Sequence, residues 1–257
     1  MLWQWNEYVA LIDAEHVALS APPQTRQRKD ADLQPPVRCR HEGNPAAALA
    51  TLLQGVQPSL LAKRQRLQVL LGYPWASSVV LPWQPGLAGN DASWSGYAQG
   101  LLREQGFESP LRVRVERAGF GQARLAFAAD AALLDGIAAQ IVEAGWYLSG
   151  CRDLMSATLL RYRRQLMAAD YTLTIVEPGA VTTLVRSERE WRDVATLVLA
   201  DGQSASEALG ATELLTQQAQ QTPPANRYWS GTVDAAAVSM QADAIWLGSP
   251  LLQKEAA

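Results

Sequence analysis

The chain has 257 residues, 48% hydrophobic and 18% charged, with a formal net charge of −3. That composition excludes a disordered polymer, and the charge balance gives no general electrostatic reason to bind nucleic acid. Two cysteines far apart in sequence, Cys39 and Cys151, make neither a disulfide framework nor a zinc spacing.

The opening "MLWQWNEYVA" has no positive n-region, apolar h-region or cleavage site, so no secretory signal is expected. "LWQWNEYVALIDAEHVALSA" alternates and turns at Asp13-Ala14-Glu15, which predicts a β-hairpin. A polar loop follows, and its "RQRKD" reads as a solvated surface. "VRCRHE" is a third strand. "NPAAALATLLQGVQPSLLAKR" is a helix with Asn44 as N-cap and Pro45 at its first position, ended or turned by Pro58. "RLQVLLG" is a short buried strand. "SSVVLPWQPGL" is an extended segment that Pro82 makes an edge strand, because proline cannot donate to a ladder.

"NDASWSGYAQGLLREQGF" is a helix capped by Asp91 or Ser93. "LRVRVER" alternates strictly, and with "ARLAFAA" makes a hairpin across Gly119–Gly121. "DAALLDGIAAQIVEAG" is a helix between Asp130 and Gly145; "WYLSGC" is extended; "RDLMSATLLRYRRQLMAAD" is a further helix. Its Arg161, Arg163 and Arg164 lie mostly off the apolar stripe and suit a solvated face, or an acidic partner. "YTLTIVEPGAVTTLV" is a second hairpin, with "WRDVATLVLAD" as its third strand. "SASEALGATELLTQQAQQ" is a helix, "TPPANRY" a linker, and "DAIWLGSPLL" a strand, a glycine corner and a brief helix. No segment reaches the roughly 20 apolar residues of a membrane span. A hairpin plus third strand, then helix and strand, occurs twice, which points to two related α/β halves.

Catalytic chemistry is thin. His16 and His41 have no triad-like neighbours, and "CRH" is too little for a metal, which needs three or four converging ligands. Glu188 and Glu190 sit in a charged turn. No P-loop or dinucleotide fingerprint is present.

The stretch "AFAADAALLDGIAAQIVEAGWYLSGCRDLMSATLLRYRR" resembles the middle of actin-like assembly proteins of the PilM and GspL type. "TIVEPGAVTTLV" falls where that family has its second phosphate hairpin, "AIWLGSPLL" where it has the corner that meets adenosine, and "RLQVLLGYPWASSVVLPWQPGL" resembles the strands before its inserted subdomain. The resemblance implies an α/β, bilobal actin-like (ribonuclease-H-like) fold with an inserted α+β subdomain. Residues 1–74 would form the first half of lobe I, 75–170 the insert and the end of lobe I, and 171–257 lobe II. It also implies a place in type IV pilus or type II secretion machinery at the inner membrane.

In active members of that family an Asp in each hairpin helps to place magnesium, and glycines let the backbone approach phosphate. The corresponding residues here are Asp13, Glu177, Gly179, Thr182 and Gly248. The second hairpin has the longer Glu177, and Pro178 deletes an N–H. Glu15 stands where the first hairpin should have glycine, and Pro250 follows Gly248-Ser249. These three departures imply vestigial nucleotide binding, while Pro178-Gly179 suits a type II turn with no ligand at all. The expectation is a non-enzymatic, cytoplasmic scaffold without cofactor or metal. It would be peripheral to the inner membrane through the cytoplasmic tail of a membrane partner, without inserting itself, and could oligomerise. The alternatives are an ATP- and magnesium-binding member of the fold and a small-molecule phosphotransferase. Trp75, Pro82, Trp83 and Trp94 are partner-binding candidates, with core packing as the rival reading of the tryptophans.

Overall fold

In the computed structural model, which describes residues 7–22, 35–56, 65–87, 90–200, 226–232 and 244–250, the chain opens on the expected hairpin. β1 (Glu7–Ile12) and β2 (His16–Ser20) pair antiparallel, with Val9 opposite Ser20 and Ile12 opposite Val17. β3 (Val37–Arg40) pairs with β2. Helix α1 (Pro45–Gln54) then leads to β4 (Arg66–Leu71), which runs parallel to β1. Asn44 starts the helix by accepting the Ala47 N–H at 3.2 Å, and Pro45 needs no donor partner there. The apolar run of β4 fits a central strand covered on both faces.

The chain next builds a separate sheet. β5 (Ala76–Leu81), β6 (Leu111–Val115) and β7 (Arg124–Asp130) form three antiparallel strands in the order β5-β7-β6. β5 is an edge, as Pro82 required. Helix α2 (Asp91–Glu104) packs on this sheet, burying Trp94, Ala98 and Leu102 against Val79, Leu81, Ala126 and Ala128. Its cap is Asn90, whose side chain accepts the Ser93 N–H, rather than Asp91 or Ser93. Asn90 alone has the extended backbone that a cap needs.

Helix α3 (Ala131–Glu143) and strand β8 (Tyr147–Asp153) complete the first sheet in the order β3-β2-β1-β4-β8. Asp130 caps α3, and Gly145 takes the left-handed φ of +79° that ends it. Helix α4 spans only Leu154–Arg161, shorter than expected. Arg152 and Asp153 belong to β8, Asp153 caps α4, and Tyr162 leaves helical geometry while the Gln165 and Leu166 N–H groups fold back onto its carbonyl.

β9 (Tyr171–Glu177), β10 (Ala180–Ser187) and β11 (Glu190–Val198) form the second meander; β12 (Arg227–Gly231) and β13 (Ala244–Gly248) add in parallel. The order β11-β10-β9-β12-β13 repeats the winding of the first sheet strand for strand. The end of the expected linker, Arg227-Tyr228, is therefore strand. The helix expected over 204–221 and the helix after Pro250 lie outside the described residues. No helix among the described residues is long and apolar enough to cross a membrane.

Period-2 alternation divides β1 between two cores. Ala10 and Ile12 face α1 and α3, meeting Leu49, Leu53, Ile137 and Ile141. Val9 and Leu11 face the other way, in one cluster with Leu70, Met155, Leu173, Ile175 and Leu184. That second cluster joins the two five-stranded sheets.

Candidate functional site

The ends of β1, β4, β8 and β9 meet between the sheets. In the first hairpin the Asp13 carboxylate serves its own turn: one oxygen accepts the N–H groups of Glu15 at 2.9 Å and His16 at 2.7 Å. The Asp13 carbonyl accepts from the Trp75 indole at 2.7 Å and lies 3.0 Å from His41 Nε2. His41 Nδ1 accepts the Gly43 N–H, so the ring proton sits on Nε2 and donates to Asp13. Asp13 is thus held as the hinge of a rigid corner.

The second hairpin turns in two residues, with Glu177 opposite Ala180. Gly179 has φ +82°, as the third position of a type II turn needs, with Pro178 before it. A Cβ added to Gly179 would lie 3.6 Å from the Ala14 Cβ. The two hairpin tips therefore touch.

Glu177 reaches from the second sheet to the first. Its Oε1 accepts the Tyr73 N–H at 3.0 Å, and a Cβ added to Gly72 would fall 1.9 Å from that oxygen. Gly72 is the hollow that receives the carboxylate. Burial pushes the Glu177 pKa from 4.5 up to about 7; the Tyr73 bond opposes this, and the charges of Asp13 and Asp153 add to it. Asp153 is raised to about 6, again mainly by burial, although its side chain accepts the Ser156 N–H at 2.6 Å. Next to it, burial and the Asp153 charge lift the Cys151 thiol to about 11, far from a reactive thiolate.

Asp153 and Glu177 line a cavity of about 550 Å³. Gly72 and Tyr73 lie at its end, Ser77 and Ser78 of β5 on one wall, and Thr182 of β10 with Val194, Thr196 and Val198 of β11 on the other. β5 and β11 run close together without pairing. Among the described residues no set of three or more His, Cys, Asp or Glu side chains is placed to hold a metal ion. The hairpin tips are in contact, and one oxygen each of Asp13 and Glu177 already accepts backbone N–H groups.

The remaining sequence candidates make other contacts. Thr182 shares its hydroxyl with Thr196 across the β10–β11 ladder at 3.0 Å. Gly248, at φ +97°, lies against the Tyr162 hydroxyl, which donates to the Ser249 carbonyl at 3.3 Å. Trp94 is fully buried and serves the core rather than a partner. Trp75 is half-buried, held by Asp13 and His41. Trp83 is half-buried between Trp94, at 5.8 Å, and the 88% exposed Phe120, at 4.9 Å; Pro82 beside it is exposed. Replacing Trp83 with Ala is expected to cost about 2 kcal/mol in urea denaturation, because one ring face packs on the insert's core. An unchanged midpoint would place that ring outside the core.

Sequence reasoning missed Gly72, Tyr73 and Asp153. Asp153 had a readable signal: an acid immediately before an apolar helix, with Ser156 three residues on. Gly72 and Tyr73 had none, because their role depends on a residue more than a hundred positions away.

No family model matches the sequence, and no match is found among curated proteins. Solved structures do match. The cytoplasmic domain of EpsL, an inner-membrane component of the type II secretion system of Vibrio cholerae, superposes with a TM-score of 0.56 at 8% identity, covering 94% of this chain and 88% of that one. The PilM–PilN type IV pilus biogenesis complex gives 0.52 at 13% identity, over 88% and 81%. A Bacteroides thetaiotaomicron protein of unknown function with an actin-like ATPase fold gives 0.52 at 9%, over 92% and 86%. The chain has the actin-like α/β fold, and two of these neighbours are of the type that the sequence resembles.

Proposed function

We propose that the protein is a non-enzymatic scaffold that works on the cytoplasmic side of an inner-membrane type IV pilus or type II secretion platform. There it binds the cytoplasmic tail of a membrane protein. The observation that carries this reading is the closed meeting point of the two hairpins. There Glu177 accepts the Tyr73 N–H, and Gly179 approaches Ala14 of the first hairpin. Hairpin tips held in contact in this way suit a fold that holds partners. The likeness to an EpsL cytoplasmic domain and to PilM–PilN supports the setting.

Two measurements test it. Titration with Mg-ATP should give no binding heat; a Kd in the low micromolar range, about −8 kcal/mol, would instead favour the ATP-binding alternative. Co-expression with a bitopic membrane protein from a neighbouring gene should give a complex that is lost when its cytoplasmic tail is deleted. Persistence of the complex without the tail would overturn the docking mode.

A further inference from the structure

The cavity between β5 and β11 has two properties that the fold itself does not need. Its floor is acidic. Asp153 and Glu177 are 9% and 5% exposed, and neither forms an ion pair with another described residue. Arg114, exposed on β6, acts on Asp153 through its field, and the Asp13 charge adds to the negative potential at Glu177. Buried carboxylates without a cation are costly and ordinarily acquire a partner.

The walls are strand edges that, among the described residues, carry no pairing strand and few guards. Soluble proteins blunt such edges with charge or proline. β11 does so in its first half, with Arg192 and Asp193 and a register shift in the strand it pairs with. The half that lines the cavity reads Val-Ala-Thr-Leu-Val. Opposite it, β5 reads Ala-Ser-Ser-Val-Val-Leu, also uncharged. An unguarded edge offers main-chain donors and acceptors to an added strand, and the acidic floor below supplies a side-chain choice.

We propose that this cavity takes an extended segment of the partner carrying a lysine or arginine, its main chain along the edge of β11 that no described strand pairs with and its cation seated between Asp153 and Glu177. The proposal rests on the tail-binding reading and adds the chemistry of the tail. An acidic or wholly apolar segment would leave both carboxylates uncompensated. A cation would hold them ionised, so binding near neutral pH releases protons.

The test is selection of a displayed random nonapeptide library on the full chain and, in parallel, on the double variant Asp153→Asn/Glu177→Gln. Amide oxygens preserve the Ser156 and Tyr73 N–H bonds in that variant. The parent should enrich Lys or Arg at one position by about tenfold, and the variant should not. A selected peptide resynthesised with norleucine at that position should bind about tenfold more weakly. Its parent form should show a binding heat that depends on the buffer's ionisation enthalpy. Peptides selected without a cation preference overturn the proposal while tail docking stands. No selected peptide, with the membrane partner still co-purifying through its tail, also overturns it and moves docking elsewhere. Loss of both sinks the tail-binding reading itself.

Discussion

Glu177→Gln should make the protein more stable at pH 8, by about 2 to 3 kcal/mol, and leave it nearly unchanged at pH 4.5. The side chain is almost wholly buried, and burial raises its pKa from 4.5 to about 7. Between those values the native state holds a proton that the unfolded chain has released. Stability is therefore full below about pH 4.5 and falls as pH rises through 7. Asp153, raised to about 6, adds a slope of the same sign in the parent. Glutamine keeps the oxygen that accepts the Tyr73 N–H and cannot ionise, so the Glu177 part of the slope disappears. Urea denaturation at half-unit steps from pH 4.5 to 8 reads this directly. Parallel curves for parent and variant would mean that the Glu177 pKa is not raised in the folded state.

The architecture was largely legible because each half announces itself by local pattern. "LRVRVER" alternates, Asn44-Pro45 opens a helix, and Pro82 marks an edge, each by chemistry contained within a few residues. The duplication was legible too, and pressing it further would have found β12. The second half needed a strand after its expected helix where the first has "RLQVLLG", and "RYWSG" lacks alternation only because it is central, with Ser230 satisfied by the Gly248 carbonyl. The site was legible as positions and not as roles. Asp13, Glu177 and Gly179 do come together, but sequence cannot show that Asp13 is spent on its own turn or that Glu177 crosses to the other sheet. Those roles come from long-range packing. The same holds for Trp94 and Trp83, alike as exposed anchors or core in sequence, and separated only by what α2 covers.

Gly72→Ala tests whether the crossing of Glu177 holds the two sheets together. The added methyl would sit 1.9 Å from Oε1 and 3.1 Å from Cδ of Glu177, and 3.4 Å from the Ile12 carbonyl. The backbone contact is tolerable with a small shift; the contact with the carboxylate is not. Glu177 must leave its hollow, which orphans the part-buried Tyr73 N–H and moves a nearly unexposed acid into the cavity beside Asp153. An unsatisfied part-buried donor and a displaced charge together put the expected loss at about 3 kcal/mol. Glu177→Ala alone should cost less, about 1 to 2 kcal/mol, since it removes the acid along with the bond. The double variant Gly72→Ala/Glu177→Ala then discriminates. With the carboxylate gone the new methyl has room, so the double variant should be at least as stable as Gly72→Ala alone, leaving a coupling of more than about 1 kcal/mol in the cycle. Additive losses would mean that Gly72 is required by its own backbone, and that Glu177 merely lies nearby.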